Sequence, residues 1–122
     1  MTRDEIVAAL TVAYGVAYVD GMTNDETEML LREIKSFKFA NDPAEVQDVI
    51  DRYKRMSIRQ GINIIAEADE DARKEAHALI LYTVAGDGEI SDMEKGAFTL
   101  MKDICNLPEI NSIEEAKAIL CW

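Results

Sequence analysis

An Asp-Gly pair occurs twice in this chain, at positions 20–21 and 87–88, each time just after an apolar run. Asp20-Gly21 follows Val12 to Val19, and Asp87-Gly88 follows Ala76 to Ala85. Three positions after each Gly stands a residue suited to open a helix, Asn24 in one copy and Ser91 in the other, and an acidic stretch comes next. Glycine in a left-handed conformation commonly ends a helix, so each copy reads as helix, corner, helix. A hairpin used twice narrows the fold sharply, because both copies must hide their apolar faces within one small domain.

The helical period runs through the rest of the chain, and no segment sustains alternation at period two. Thr2-x-x-Glu5 is a capping box for the first helix, whose stripe is Ile6, Leu10, Ala13, Tyr14, Ala17 and Tyr18. Asn24 caps the second, which carries Leu30, Leu31, Ile34 and Phe37 on one side. Asp42-Pro43-Ala44-Glu45 opens the third, with Pro at the first helical position and an acid in the first turn. Its stripe is Val46, Val49, Ile50, Tyr53 and Met56. Gly61 is expected to interrupt the next helical stretch, leaving a short fourth helix around Ile62 to Ala68. Asp69 or Asp71 opens the fifth, with Ala72, Ala76, Leu79, Ile80 and Val84 inward. Ser91-x-x-Glu94 is a second capping box, for a sixth helix carrying Ala97, Phe98, Met101 and Ile104, and Pro108 ends that element. Ser112-x-x-Glu115 opens a seventh, with Ile113, Ala116 and Leu120 inward.

The expected fold is therefore all-α. It is a single domain over residues 1–122, a compact bundle of about seven helices with an internal duplication of the helix–Asp-Gly–helix unit. Leu10, Leu30, Ile34, Val49, Leu79, Ile80, Phe98 and Met101 are expected to be largely buried.

Charge bounds the partners. With 24 acids against 13 bases the net charge is −11, which opposes nucleic-acid binding and an anionic membrane surface. Divalent cations and basic protein surfaces are favoured instead. Hydrophobic residues make up 48% of the chain, enough for a folded core. No apolar run reaches the roughly 18–20 residues that span a bilayer, and Met1-Thr2-Arg3-Asp4-Glu5 has no signal-peptide character. Cys105 and Cys121 lack metal-site spacing and read as reduced, buried or partly buried thiols of a cytoplasmic protein.

The two units resemble those of the tellurite-resistance TerB-like family. That family carries two helix–Asp-Gly–helix units, with Ala-Asp-Gly, a short turn, and a Glu seven residues after the Asp. The second unit, Val84-Ala85-Gly86-Asp87-Gly88-Glu89-Ile90-Ser91-Asp92-Met93-Glu94, matches the pattern except for Gly86 before the Asp. The first unit keeps Asp20 and Gly21 but has Thr27 in place of the Glu. The resemblance spans nearly the whole chain and implies a cytoplasmic, stress-associated helical domain that binds metal through its paired acids. By that pattern the metal-binding residues are Asp20, Asp87 and Glu94. Glu28, beside the departing Thr27, serves only if the first corner relaxes.

Read from the residues alone, Asp87 to Glu94 also matches positions five to twelve of an EF-hand loop, with Gly at six and Glu at twelve. Positions one and three would be Thr83 and Ala85, neither a carboxylate, so an EF-hand is rejected. Acids at helix C-termini oppose the macrodipole, and two of them need compensation, either from free amides of the next turn or from a cation. Both readings stand. Hard oxygen donors would select Ca²⁺ or Mg²⁺. Without metal, the same chain is a non-catalytic protein–protein interaction or scaffold module whose acidic corners only cap helices. No nucleophile–base pair or phosphate-cradling loop points to an enzyme. His77, the only histidine, is expected at the surface or its boundary, and Tyr14 and Tyr18 in the core. Trp122 either packs on the domain or anchors a partner.

Overall fold

A computed structural model describes residues 1–17, 24–37, 42–85 and 92–122, with the side chains at 17, 24–27, 29 and 31 left aside. The described residues form seven helices and no strand: α1 (Arg3–Ala17), α2 (Asn24–Lys35), α3 (Pro43–Arg55), α4 (Ile58–Glu67), α5 (Glu70–Ala85), α6 (Asp92–Ile104) and α7 (Ile113–Leu120). The duplication is visible in their bounds. Arg3 to Glu70 is 67 residues and Asn24 to Asp92 is 68, so α1–α2 and α5–α6 repeat nearly in register.

Local chemistry starts the helices where the sequence places them. At α1 the capping box closes both ways, the Thr2 amide donating to Glu5 Oε1 (2.7 Å) and the Glu5 amide to Thr2 Oγ1 (3.2 Å). Asp42 accepts from the Ala44 amide at 2.9 Å ahead of α3. Asp69, rather than Asp71, opens α5 by accepting from the Ala72 amide at 2.8 Å. Ser112 opens α7 as expected: its Oγ accepts from the Glu115 amide, and the Glu115 carboxylate accepts from the Asn111 amide. The Ser91–Glu94 box falls partly on residue 91, outside the described residues, as does the side chain of Asn24.

Gly61 does not interrupt α4. The helix opens earlier, on a Ser57–Gln60 capping box, and carries Gly61 buried within it. A methyl group at Gly61 would lie 3.2 Å from the Ala8 carbonyl oxygen and 3.3 Å from Val12 Cγ2. The glycine lets α4 lie close on α1. Gly15 of α1 faces only the Ile58 side chain at the start of α4.

α1 and α5 form the centre. Val7 to Tyr14 are all buried, not only the stripe, and α5 buries Ala72, Ala76 through Ile80, Thr83 and Val84. The two helices run in the same direction: the Met1 ammonium pairs with Glu75 near the head of α5 at 3.1 Å, while Tyr14 and Thr83, near their ends, act on one shared carboxyl group. α4 runs back along α1, and α7 lies on α5. Thr11, enclosed with its neighbours, returns its hydroxyl to the Val7 carbonyl at 2.8 Å. Leu10, Leu30, Ile34, Val49, Leu79 and Ile80 are buried as expected.

Phe98 and Met101 are only half-buried, against expectation. α6 buries no residue completely, because it lies on the outside of the central pair and turns only part of its apolar arc inward. Met93 (62% exposed), Leu100 (54%) and Ile104 (49%) remain in solvent.

Candidate functional site

Asp20 and Asp87, the two corner acids, lie outside the described residues. Of their expected companions, Glu94 is half-buried in the first turn of α6 and Glu28 is exposed on α2. Among the described residues no group of three or more Asp, Glu, His or Cys side chains is placed to hold a metal ion. What the described helices do fix is the setting of the corners. α1 and α5 lie side by side and parallel, so Ala17 and Ala85, the last residues before the Asp-Gly segments, finish at the same end of the molecule.

Near that end is a polar feature that the helix stripes did not anticipate. Glu33 of α2 is 3% exposed, and Thr83 Oγ1 of α5 lies 3.0 and 3.1 Å from its two carboxyl oxygens. Burial pushes the Glu33 pKa up to about 7, while hydrogen bonds from Tyr14 and Thr83 pull against that rise. One carboxyl group thus ties α2 to both central helices in a largely apolar interior. The signal was present in the sequence: Glu33 falls between Leu30 and Phe37 and beside Ile34, inside the apolar arc of α2, where an acid is out of place.

His77 is buried, not at the surface. Its Nδ1 meets the Pro108 carbonyl at 2.5 Å and its ring centroid lies 5.5 Å from that of Phe98. Nδ1 donates in that contact, and burial, with Lys102 nearby, holds the ring pKa below its ordinary value. The imidazole pins the segment after α6 onto α5. It is enclosed because α7 and residues Cys105 to Ile110 fold back over α5, an arrangement that no local pattern around His77 reports. Cys105 is buried with its thiol on the Ile62 carbonyl (3.8 Å), and burial pushes its pKa up. Cys121, expected in at least partial shelter, is exposed; it takes the left-handed cap of α7 (φ 62°, ψ 38°), which turns it outward.

Trp122 packs on the domain, edge-on to Phe37 (5.6 Å between ring centroids) and to Tyr82 (5.0 Å). Beside it a cavity of about 490 Å³ opens between the head of α1, the end of α2, the first turns of α5 and the end of α7. No helix among the described residues is long and apolar enough to cross a membrane.

No protein-family profile matches this chain, and no curated protein matches it. Among solved structures it is similar to a protein of unknown function from Porphyromonas gingivalis W83. The two share 23% sequence identity with a TM-score of 0.75, over 99% of this chain and 90% of the other. That similarity shows the fold: an all-α bundle whose arrangement recurs in a second protein across nearly its whole length.

Proposed function

We propose that this protein is a non-catalytic helical module of the TerB-like type, which binds a divalent cation at its acidic corners in a cytoplasmic stress response. The observation that carries this reading is the parallel packing of α1 and α5 within a repeated hairpin. It brings Ala17 and Ala85, the last described residues ahead of the two Asp-Gly pairs, to one end of the central helix pair. Asp87 and Glu94 would supply most of the charge and Asp20 a further ligand. Thr27 weakens the first corner, and Glu28 would contribute only through solvent, since it is exposed. Carboxylate oxygens are hard donors, and so few of them leave water to complete the shell, which favours weak binding of Ca²⁺ or Mg²⁺.

Thermal melts with and without millimolar Ca²⁺ at matched ionic strength test this. A bound ion stabilises only the folded state, so the melting temperature should rise in wild type and not in Asp87→Asn. Absence of a specific rise in the unmutated protein would defeat the metal reading.

The exposed side of α6 favours a second reading, a protein-interaction scaffold. Met93, Leu100 and Ile104 recur at helical spacing on one side and stay in solvent. Under it, divalent ions leave the melting temperature unchanged, Asp87→Asn is neutral, and Glu94→Ala costs about 1 kcal/mol through the start of α6.

A further inference from the structure

We infer that the outer side of α6 is a docking strip for a basic amphipathic helix of another protein. The inference rests on the interaction reading of α6 and adds the chemistry of the partner to it. Met93, Leu100 and Ile104 are 62%, 54% and 49% exposed. At about 100° per residue the three fall within one narrow arc, so they form a continuous apolar strip along the helix and not scattered single side chains. The helix is held to the domain by a different face, where Phe98 meets His77 of α5.

Gly96 supplies an independent observation. It is exposed on α6, one turn after Met93 and one turn before Leu100. Glycine weakens a helix interior, and at Gly61 that weakness is explained by the close approach of α1. Gly96 has no such explanation within this chain, because a methyl group there would meet nothing within 4 Å. A helix laid along the strip provides one. Its backbone would settle at Gly96 between Met93 and Leu100, as α1 and α4 approach at Gly61.

Charge selects the partner. Asp92 and Asp103 are exposed and fall beside Gly96, where they edge the strip along its solvent side. Neither forms an ion pair with a described residue. The two lysines of α6, Lys95 and Lys102, fall on the far side of the helix from the strip. A helix with an apolar face and a basic flank would therefore match both the strip and its acids. A second copy of α6 packed antiparallel would set the acidic edge against itself, and a net charge of −11 on each copy adds to that repulsion.

Fluorescence anisotropy with a dye-labelled peptide tests this. The probe is an amphipathic Leu/Lys helix of about 15 residues, roughly four turns, and its control has Glu in place of every Lys. Saturable, equimolar binding is expected for the Leu/Lys peptide and none for the Leu/Glu peptide. Leu100→Ser should weaken binding at least tenfold and Asp103→Asn several-fold, whereas Glu114→Gln, an exposed acid on α7, should leave it unchanged. Gly96→Leu separates a shaped seat from simple adhesion: it adds apolar surface, yet by filling the seat it should weaken binding at least tenfold. Circular dichroism checks that each variant is folded. Leu/Lys binding that ignores Leu100→Ser, or equal or tighter binding by folded Gly96→Leu, would overturn the assignment. Leu/Glu binding through Leu100, or dimerisation through Leu100 in analytical ultracentrifugation, would overturn the basic partner and leave α6 an interaction surface. A monomeric protein that binds neither peptide would remove both the partner and the interaction reading of α6.

Discussion

Glu33 is the one buried acidic side chain among the described residues. Its carboxyl titrates at about 7 in the folded protein, against an ordinary 4.5. Between those values the unfolded chain releases the proton while the folded one keeps it. The group's contribution to stability is thus complete below about pH 4.5 and lost as the pH rises through 7. The shift corresponds to roughly 3 kcal/mol at most. Glu33→Gln keeps an oxygen for the Thr83 hydroxyl and removes the ionisation. Urea denaturation should therefore show the variant more stable than wild type at pH 8, with much of the difference gone at pH 5. An unchanged pH profile would mean that Glu33 is solvated in solution.

At the scale of the helix, the three described glycines separate by what surrounds them. Gly96 sits on α6 with open space where a side chain would go, so Gly96→Ala gains helix propensity of about 0.5–1 kcal/mol. Gly61 gains the same propensity but must push against the Ala8 carbonyl and Val12, and overpacking of that kind costs about 1–3 kcal/mol. Thermal melts should move in opposite directions, up for Gly96→Ala and down for Gly61→Ala. Gly15 faces the end of the Ile58 side chain, which is 44% exposed and free to swing away, so Gly15→Ala should change little. Sequence shows each of these residues only as a weak point in a helix. Whether the weakness serves close approach depends on the neighbouring helix.

Across the whole molecule, burial is graded from centre to edge. α1 and α5 are enclosed, while α6 has no fully buried residue and leaves large apolar side chains in solvent. Amide hydrogen exchange should be slowest in α1 and α5, approaching the global unfolding free energy, and fastest among the long helices in α6. Leu79, fully buried on α5, should lose roughly 2–5 kcal/mol on truncation to Ala. A comparable truncation at Leu100 on the outer side of α6 should fall within about 0.5 kcal/mol of wild type. Equal losses at the two positions would contradict the central placement of α5. Surface ion pairs change this gradient little. The chain Arg3–Asp48–Arg52–Asp4 joins the head of α1 to α3, but all four groups reach solvent, where water screens such pairs and leaves them little net effect.

By itself the sequence determined the number of helices, most of their starts and the duplication, because caps and the 3.6-residue period act over a few residues. Thr2, Asp42 and Ser112 cap their helices as read, and six of eight expected core residues are buried. The acidic-corner motif falls on Asp20 and Asp87, which lie outside the described residues. Only the tertiary structure decided which helices stand at the centre. A stripe reports the inner face of a helix that has solvent on its other side; from Ile6 to Tyr14 α1 has none, so its stripe understated its burial. The enclosure of His77 by the segment after α6, the seating of Glu33 on Thr83, and the cavity beside Trp122 all depend on contacts between residues 31 to 85 positions apart. Pairings over such distances leave no periodic trace, since they are fixed by how seven amphipathic or apolar rods fill one volume.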